Sequence, residues 1–456
     1  MSDSADLRRR LRRAGVRTGR EVFGQRAARQ KSSLPAHGVK HPASPVIEPA
    51  LRSPRPQGVG SLSKDHPSAS AIEALTGGTE FTNVHGVCYV IEQVYPLDHP
   101  HGPGALGDLF RHSPSLAAEI ARDPTLAAAD LRRLAFLDTE TTGLAGGAGT
   151  FAFLVGLGQF DLEASHFRLR QYFLRDPAEE KAMLAALLDD LAGCDGLVTF
   201  NGRGFDLPLL DSRMVLTLRR RESLRQRPHL DLLQPARSLW RGRLESCSLL
   251  SLETHTLQIT RTSQDVPGAW IPGMYLDYLR TGDAREMLRV IYHNSVDILS
   301  MVCLTAQLME TFGRHPATAA TPAESLALAR WQELEGNYDQ AEAGYLRALL
   351  GNLSDRERIS GLRRLSSLLK RRGRRAQAAP YWEALAQLAP EDPGPCVELA
   401  MYFEWQAADP VRAAEWALAG MTALTYWKKG WQLDDARTAL EHRLARLQRK
   451  VHRGPP

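Results

Sequence analysis

The sequence predicts a mixed α/β domain over residues 131–312 and an all-helical domain over residues 322–447. Two observations predict the first domain. Three short runs with the composition of strands follow one another, and a fourth comes after a helical segment. One observation predicts the second domain: beyond residue 322 the sequence is helical, with a loose internal repeat. A chain of 456 residues is also too long for one compact core, so a division into domains is expected.

The first seventy residues are basic and rich in Pro, Ser and Gly. They hold 14 Lys or Arg against 5 Asp or Glu, whereas the whole chain carries +5, so the basic character belongs to this segment. Because it holds so few apolar side chains, we predict that residues 1–70 form a disordered tail. Its arginines either bind phosphate groups or only solubilise the chain, and both interpretations stay open.

Residues 71–130 are predicted to be an extension that contains strands. The run VHGVCYVIEQVYPL has β-branched and aromatic content, and the turn-forming loop HPHGPG follows it. We therefore expect ordered structure to begin near residue 80.

The elements of the α/β domain then follow in order. LAFLDTE, FAFLVGLGQFD and FRLRQYFL predict three strands of an antiparallel meander, EEKAMLAALLDDLA predicts a helix, and DGLVTFNG predicts a fourth strand. Because a helical crossover leads to the fourth strand, we expect that strand to lie parallel to the first. A long amphipathic helix is predicted over AREMLRVIYHNSVDILSMVCLTAQLME.

Composition excludes several classes of protein. The five cysteines stand far apart without a C-x-x-C pair, which argues against a zinc site and against a disulfide framework. The sequence shows neither an apolar stretch of about 18 residues nor a signal-peptide pattern. The expectation is a cytoplasmic protein that does not interact with a membrane.

Two acidic residues end the first predicted strand of the α/β domain. Asp138 and Glu140 stand two apart in DTETTGL, so their side chains leave the same face of the strand. A charged pair that ends a buried run is costly unless it is paired or ligated. The pair is therefore either a ligand pair for one hard cation or an exposed strand end with solvated acids.

Two further segments hold acids that the predicted topology brings toward this pair. In NGRGFDLPLL, Asp206 stands at the expected start of a helix, where Asp is also a common capping residue. In YHNSVDILS, His293 and Asp297 are spaced i, i+4 and share one helix face, although such pairs are also common on surfaces. A site is favoured because all three segments occur in the order, and on the elements, that one chemistry needs.

That chemistry is the hydrolysis of a phosphodiester bond with two divalent ions, one of which activates water while the other stabilises the leaving oxygen. Mg²⁺ and Mn²⁺ prefer carboxylate oxygens. We predict that two such ions are bound by Asp138, Glu140, Asp206 and Asp297. The predicted catalytic residues are Asp138, Glu140 and His293, and His293 is the general base, because histidine has a reference pKa of about 6.5.

The three segments resemble the DEDD exonuclease motifs of the ribonuclease H-like superfamily. Asp138 and Glu140 match the D-x-E of the first motif, Asp206 the N-x-x-x-F-D of the second, and Asp297 the last aspartate. The wider context resembles the YprB-type ribonuclease H-like family, through HLDLL, LESCSLLSLE, DVPGAWIPGMYLDYL and HNSVD. The resemblance implies a ribonuclease H-like fold, a metal-dependent nuclease that acts from 3′ to 5′, and C-terminal tetratricopeptide-like repeats.

One feature departs from the pattern of the superfamily. The two best-known subclasses carry Tyr four residues before the last Asp or His five residues before it. Here His293 holds the first of these positions and Tyr292 the second, so the residue types are exchanged. Whether His293 or Tyr292 positions the attacking water therefore stays open.

Substrate contacts are expected beside the motifs and in a basic stretch, RSLWRGR, where an indole could stack on a base and arginines could bind phosphates. The same stretch could be a helix surface with solvated charges. The residues expected to contact single-stranded RNA or DNA are Thr139, Asn201, Phe205, Trp240, Arg241 and Asn294.

The helical domain carries a repeat with a spacing of 37 residues. The matching positions are Gly336, Ala341 and Tyr345, which recur as Gly373, Ala378 and Trp382. Small and aromatic residues at such offsets resemble tetratricopeptide repeats, for which the usual period is about 34 residues. The domain is either a degenerate array that docks a protein partner or an ordinary helical bundle.

Three functional hypotheses follow. The first is a metal-dependent exonuclease that acts on single-stranded nucleic acid. The second is an adaptor that keeps the nuclease fold without turnover and acts through its repeats. The third is a structure-selective endonuclease, which uses the same residues and differs in its product lengths. The sequence does not distinguish RNA from DNA as substrate.

Overall fold

The computed structural model describes residues 70–143, 150–220 and 223–453, so residues 1–69 of the predicted tail lie outside the described residues. Seven of the strands in these ranges form one mixed sheet, and two form a small hairpin. The strands are β1 (Thr79–Asn83), β2 (Gly86–Pro96), β3 (Pro100–His101), β4 (Gly104–Ala105), β5 (Leu134–Thr141), β6 (Ala152–Asp161), β7 (His166–Phe173), β8 (Gly196–Thr199) and β9 (His229–Asp231).

The helices divide into those that surround the sheet and those that follow it. The first group is α1 (Ile72–Thr76), α2 (Pro114–Ala121), α3 (Glu180–Leu191), α4 (Asp206–Arg213), α5 (Leu233–Trp240), α6 (Leu249–Leu252), α7 (Ile271–Thr281) and α8 (Met287–Phe312). The second group is α9 (Pro322–Leu334), α10 (Tyr338–Leu349), α11 (Asp355–Arg371), α12 (Arg375–Leu388), α13 (Pro393–Trp405), α14 (Pro410–Ala423) and α15 (Trp431–Arg453).

The large sheet has the strand order β1-β2-β7-β6-β5-β8-β9. β5, β6 and β7 form an antiparallel meander, and β8, which follows helix α3, pairs parallel to β5. The predicted fold class, three antiparallel strands followed by parallel strands with helices and then an all-helical region, is thereby confirmed. The segment predicted as an extension supplies two strands of this sheet, because β2 pairs antiparallel with β7.

The sheet is buried on both faces, which explains the continuous apolar run that begins β5. Side chains alternate between faces along a strand. Phe136 packs in the core on one face, where its ring meets those of Phe160 and Phe167 edge-on, whereas Leu137 belongs to the core on the other face. The apolar run ends before Asp138, so Asp138 and Glu140 lie at the edge of the buried core.

Helix α8 crosses the sheet and contacts β5, β6 and β7. Among the described residues it is the one helix long and apolar enough, by length and composition, to span a membrane. However, 72% of its apolar window is buried inside the protein, as in a core helix. The helix therefore holds His293 and Asp297 in fixed positions over the strands.

The helical region packs its helices in sequence order, and the repeat seen in the sequence occupies equivalent places. Gly336 and Gly373 both take left-handed φ angles, of 82° and 76°, in the turns before α10 and α12. Ala341 and Ala378 are both fully buried. At the corresponding point before α14 the left-handed residue is Ala408. These helix pairs agree with an array, and their identity as tetratricopeptide-like repeats stays a prediction.

The cationic residues of the basic run KRRGRR, which spans the end of α11 and the start of α12, are ion-paired within the helical region. Each of its five cationic residues forms an ion pair with an acid on a neighbouring helix. The acids are Glu333, Asp339, Glu342 and Glu398. This run therefore ties helices together and is not a free phosphate-binding surface.

Candidate metal centre

Asp138 and Glu140 lie at the end of β5, where the sheet opens. The strand is paired with β6 so that Asp138 stands opposite Gly156, and the register of the pair shifts after Glu140. The first four residues of β5 are buried and the last four are half-buried. The alternation of the strand directs both carboxylates to one face, as predicted.

Asp206 is the first residue of α4, in the position predicted from the sequence, and it is buried. The hydroxyl of Thr139, on β5, donates a hydrogen bond to its Oδ1. This bond connects the start of α4 to the strand that carries the first two acids. Asp206 is therefore held beside the end of β5.

Helix α8 completes the cluster. The Nε2 atom of His293 lies 3.9 Å from Oε1 of Glu140 and 3.6 Å from Oδ2 of Asp297. One donor atom from each of these three residues lies within 4.8 Å of the other two, close enough to hold a metal ion. Strand and helix thus bring together residues that are more than 150 positions apart in the sequence.

Burial and mutual repulsion disfavour the charged form of the carboxylates in this cluster. Burial raises the pKa of Asp138 and of Glu140 well above the usual range, and the neighbouring carboxylates raise both further. Burial also raises the pKa of Asp206, to about 6. Burial raises the pKa of Asp297 as well, although the positive charge of the Arg261 guanidinium lowers it in part. A bound divalent cation would relieve this repulsion, and the all-oxygen acid set with one imidazole fits Mg²⁺ or Mn²⁺.

A family model described as RNase_H superfamily matches residues 135–309, the part of the chain that forms this cluster. The chain is also 30% identical over 370 residues to the uncharacterized protein YprB of Bacillus subtilis strain 168. That similarity covers 80% of this chain and 86% of YprB. The chain belongs to the YprB family. Residues 135–309 are its ribonuclease H superfamily domain.

The imidazole of His293 has a defined orientation in this YprB-family site. Its Nδ1 atom lies 2.7 Å from Oδ1 of Asp265 and 3.1 Å from Nη1 of Arg261, so these two side chains hold the ring in place. Nε2 faces Glu140 and Asp297. The Tyr292 hydroxyl instead accepts a hydrogen bond from the backbone N–H of Thr262. His293, and not Tyr292, therefore presents a ring nitrogen to the acids.

Three charged residues that the sequence reasoning did not select also belong to the site. The Arg261 guanidinium is 6% exposed and donates to both carboxylate oxygens of Glu253, which is fully buried. Arg261 also donates to Asp265, and to Oδ1 of Asp297. Glu253 and Asp265 lie in the family motifs LESCSLLSLE and DVPGAWIPG. Arg261 lies between the motifs, where no local pattern indicates its role.

Asn294 was predicted to contact the substrate, but the structure buries it completely. Its side-chain amide donates to Oδ2 of Asp138 at 2.9 Å, and its Oδ1 accepts a hydrogen bond from Gln171. Gln171 in turn donates to the backbone carbonyl of Ile291. Asn294 therefore positions the Asp138 carboxylate, because a buried amide with these partners has no side facing a substrate.

Gly156 leaves room for this contact. A Cβ atom at position 156 would stand 2.3 Å from Oδ1 of Asn294, so Gly156→Ala should displace Asn294 from Asp138. We expect a loss of about 1–3 kcal/mol in unfolding free energy, and a loss of about 10–100-fold in Mn²⁺ affinity. The matched control is Gly193→Ala, since a Cβ atom there meets nothing within 4 Å. Equal Mn²⁺ affinity in the two variants, measured by calorimetric titration, would contradict the assigned role of Asn294.

The other predicted substrate contacts are placed unequally. Thr139 bonds Asp206, and the backbone N–H of Asn201, in a left-handed conformation with φ 67°, donates to Asp231. Phe205 is 62% exposed beside Asp206, so its ring is available to stack. Arg241 is exposed, beyond the end of α5.

Trp240 does not fit its predicted role. It is 8% exposed and belongs to the core under the sheet, so its indole is not available to stack on a base. The reason is the helical period of α5, which places Trp240 on the same buried side as Ala236 and Leu239. The tryptophan that interrupts the arginines of RSLWRGR is thus a core residue.

Asp206 provides a test of the electrostatics. Its folded-state pKa of about 6 lies above the ordinary value of 3.8, so the folded protein binds this proton more tightly than the unfolded chain. Stability is therefore lost as the pH rises through about 6. In metal-free protein we expect Asp206→Asn to raise the unfolding free energy relative to wild type at pH 8, and this gain should shrink as the pH falls toward 4. Asp277→Asn, at an exposed carboxylate, is the control, and a gain from Asp206→Asn that does not vary with pH would contradict the assignment.

Proposed function

We propose that this YprB-family protein is a divalent-metal-dependent nuclease that hydrolyses phosphodiester bonds of single-stranded nucleic acid, as a 3′–5′ exonuclease. The observation that carries the proposal is the convergence of Glu140, His293 and Asp297, with donor atoms within 4.8 Å, in a ribonuclease H superfamily domain. We assign Asp138, whose Oδ2 accepts a hydrogen bond from Asn294, and Asp206, whose Oδ1 accepts one from Thr139, to the same site. The direction of digestion is taken from likeness to the wider superfamily.

We assign the acids to the metal ions and His293 to the attacking water. Glu140 and Asp297, with Asp138, would hold one ion, and Asp138 with Asp206 would hold a second. Bound ions would supply charge to activate a water and to stabilise the leaving oxygen. The chain itself would supply the base: Nδ1 of His293 is held against Asp265, and Nε2, which faces the acids, would accept a proton from the attacking water.

The surface beside the acids has features that could bind single-stranded nucleic acid. The exposed ring of Phe205 can stack on a base, and such stacking is worth about 1–3 kcal/mol per base. A cleft of about 730 Å³ adjoins the loop that leads to Asp206, and its lining includes Arg122, Asn201 and Arg203. Arginines in a cleft of this kind bind backbone phosphates. These features support a single strand as substrate and do not favour RNA over DNA.

The products of digestion test the proposal. Metal-free protein is incubated with 5′-labelled single-stranded RNA and DNA, in Mg²⁺ or Mn²⁺ and in EDTA as the control. We expect a ladder that shortens from the 3′ end only when a metal is present. A few discrete internal fragments would favour the structure-selective endonuclease. No cleavage of either strand would reject the enzyme.

A second candidate, the adaptor without turnover, is favoured by two observations. The Arg261 guanidinium forms an ion pair with Asp297 and so offsets part of its negative charge. The nuclease hypothesis assigns Asp297 to a metal ion. The helical region also exposes Tyr426, Trp427 and Trp431, which a protein partner could cover. Absence of Mn²⁺ binding by the wild-type protein would move this candidate ahead.

A further inference from the structure

Hydrogen bonds to Glu253 and Asp297 fix the position of the Arg261 guanidinium. Nε donates to Oε2 of Glu253 at 2.6 Å, and Nη2 donates to Oε1 at 2.7 Å, which is the planar two-point pairing of Arg with a carboxylate. Nη2 has two hydrogens, and the second points to Oδ1 of Asp297. The guanidinium cannot turn away from Asp297 without breaking its pair with Glu253.

The two oxygens of Asp297 therefore have different surroundings. Oδ1 accepts from a guanidinium whose side chain is 6% exposed, so water does not screen this contact. Oδ2 lies 3.6 Å from Nε2 of His293, on the side of Glu140. An ion that used both oxygens would share Oδ1 with a fixed positive charge and would be repelled by it. An ion that used Oδ2 alone would avoid most of this repulsion.

We propose that Arg261 restricts Asp297 to one metal-ligating oxygen, Oδ2, and that the site thereby selects small octahedral cations such as Mg²⁺ and Mn²⁺ against Ca²⁺. Ca²⁺ takes 6–8 oxygen ligands and often binds carboxylates through both oxygens, whereas Mg²⁺ requires near-octahedral geometry. The arginine is thus a specificity-determining residue that does not touch the substrate. This inference rests on the proposed function, because it concerns the same acids.

The inference predicts a change in cation preference when the guanidinium is removed. In Arg261→Met, Asp297 can offer both oxygens, so Ca²⁺ should gain affinity relative to Mn²⁺. We expect the ratio of the Mn²⁺ to the Ca²⁺ association constant to fall by about tenfold, which corresponds to about 1.4 kcal/mol. The readout is binding of each ion alone to the metal-free full-length protein by calorimetric titration, without any nucleic acid.

Two further variants make the result decisive. Arg261→Met leaves Glu253 buried without its partner, so the double variant Arg261→Met with Glu253→Gln removes both charges together and should show the same fall in the ratio. Arg280→Met is the matched control, because Arg280 forms an exposed pair with Asp277, and its ratio should equal that of wild type.

The outcomes separate the inference from the proposed function. If wild type binds Mn²⁺ and the double variant keeps the wild-type ratio, the selectivity role of Arg261 is rejected and the metal site stands. If the folded double variant loses both ions, Arg261 organises the site instead of restricting it, and the inference is again rejected. If wild type binds neither ion, the proposed function itself fails.

Discussion

Replacing His293 with alanine should slow cleavage by about 10²–10⁴-fold, the usual contribution of a positioned general base. The expectation follows from the orientation of the ring: Nδ1 lies 2.7 Å from Oδ1 of Asp265, and Nε2 faces Glu140 and Asp297. The measurement is a single-turnover rate with labelled single-stranded substrate at saturating metal. Affinity for the substrate, measured in parallel with a metal that does not support cleavage, should change little.

Tyr292→Phe is the matched control for this experiment. The Tyr292 hydroxyl accepts a hydrogen bond from the backbone of Thr262, so its removal should leave the rate within a few-fold of wild type. The pair of variants decides which of the two exchanged residues positions the water. A large loss in Tyr292→Phe together with a small loss in His293→Ala would overturn the assignment.

The largest expected effect on stability comes from Glu253→Ala. Glu253 is fully buried and gives both of its oxygens to Arg261, which is itself almost fully buried. Removing one partner of a buried ion pair costs up to about 3–5 kcal/mol. Because Asp265 and Asp297 still offset part of the Arg261 charge, we expect a loss of about 3 kcal/mol. Chemical denaturation of the metal-free protein should show a loss of this size in unfolding free energy.

Asp277→Ala provides the comparison for an ion pair in solvent. Asp277 and Arg280 are 67% and 75% exposed, so this substitution should change the unfolding free energy by less than about 1 kcal/mol. Asp265 and Asp297 remain near Arg261 in Glu253→Ala and would absorb part of the charge. If Glu253→Ala cost no more than Asp277→Ala, Arg261 would not be the buried, fixed cation that the selectivity argument requires.

The sequence predicted most of the sheet because its signals are local. The apolar run of β5, the two strands after it and the helical spacing of α3 each lie within a few residues, and the parallel pairing of β8 follows from the crossover rule. The pairing of β2 with β7 joins residues about 80 positions apart. Nothing in either segment specifies that partner, so the contribution of residues 71–130 to the sheet required the structure.

The acids of the site could be selected from the sequence, whereas their supporting residues could not. Asp138 and Glu140 share a strand face, and His293 and Asp297 share a helix face, so their spacing alone relates them. Arg261 meets Asp297 only through the tertiary fold, across 36 residues. Trp240 shows how a local pattern can mislead. Its neighbouring arginines suggested a stacking surface, but the helical period of α5 places it on the buried side of the helix.

The proposed nuclease activity depends on divalent ions that the buried carboxylates bind. It is tested most directly by the rate of strand shortening in Mg²⁺ and in Mn²⁺ for wild type and for Asp138→Asn, which keeps the shape of the side chain and an oxygen to accept from Asn294. We expect metal-dependent cleavage by wild type, and a loss of at least about a thousandfold in the variant, since several kcal/mol of charge stabilisation are removed. Cleavage by Asp138→Asn at the wild-type rate, or by wild type in EDTA, would show that these carboxylates do not bind a catalytic metal ion.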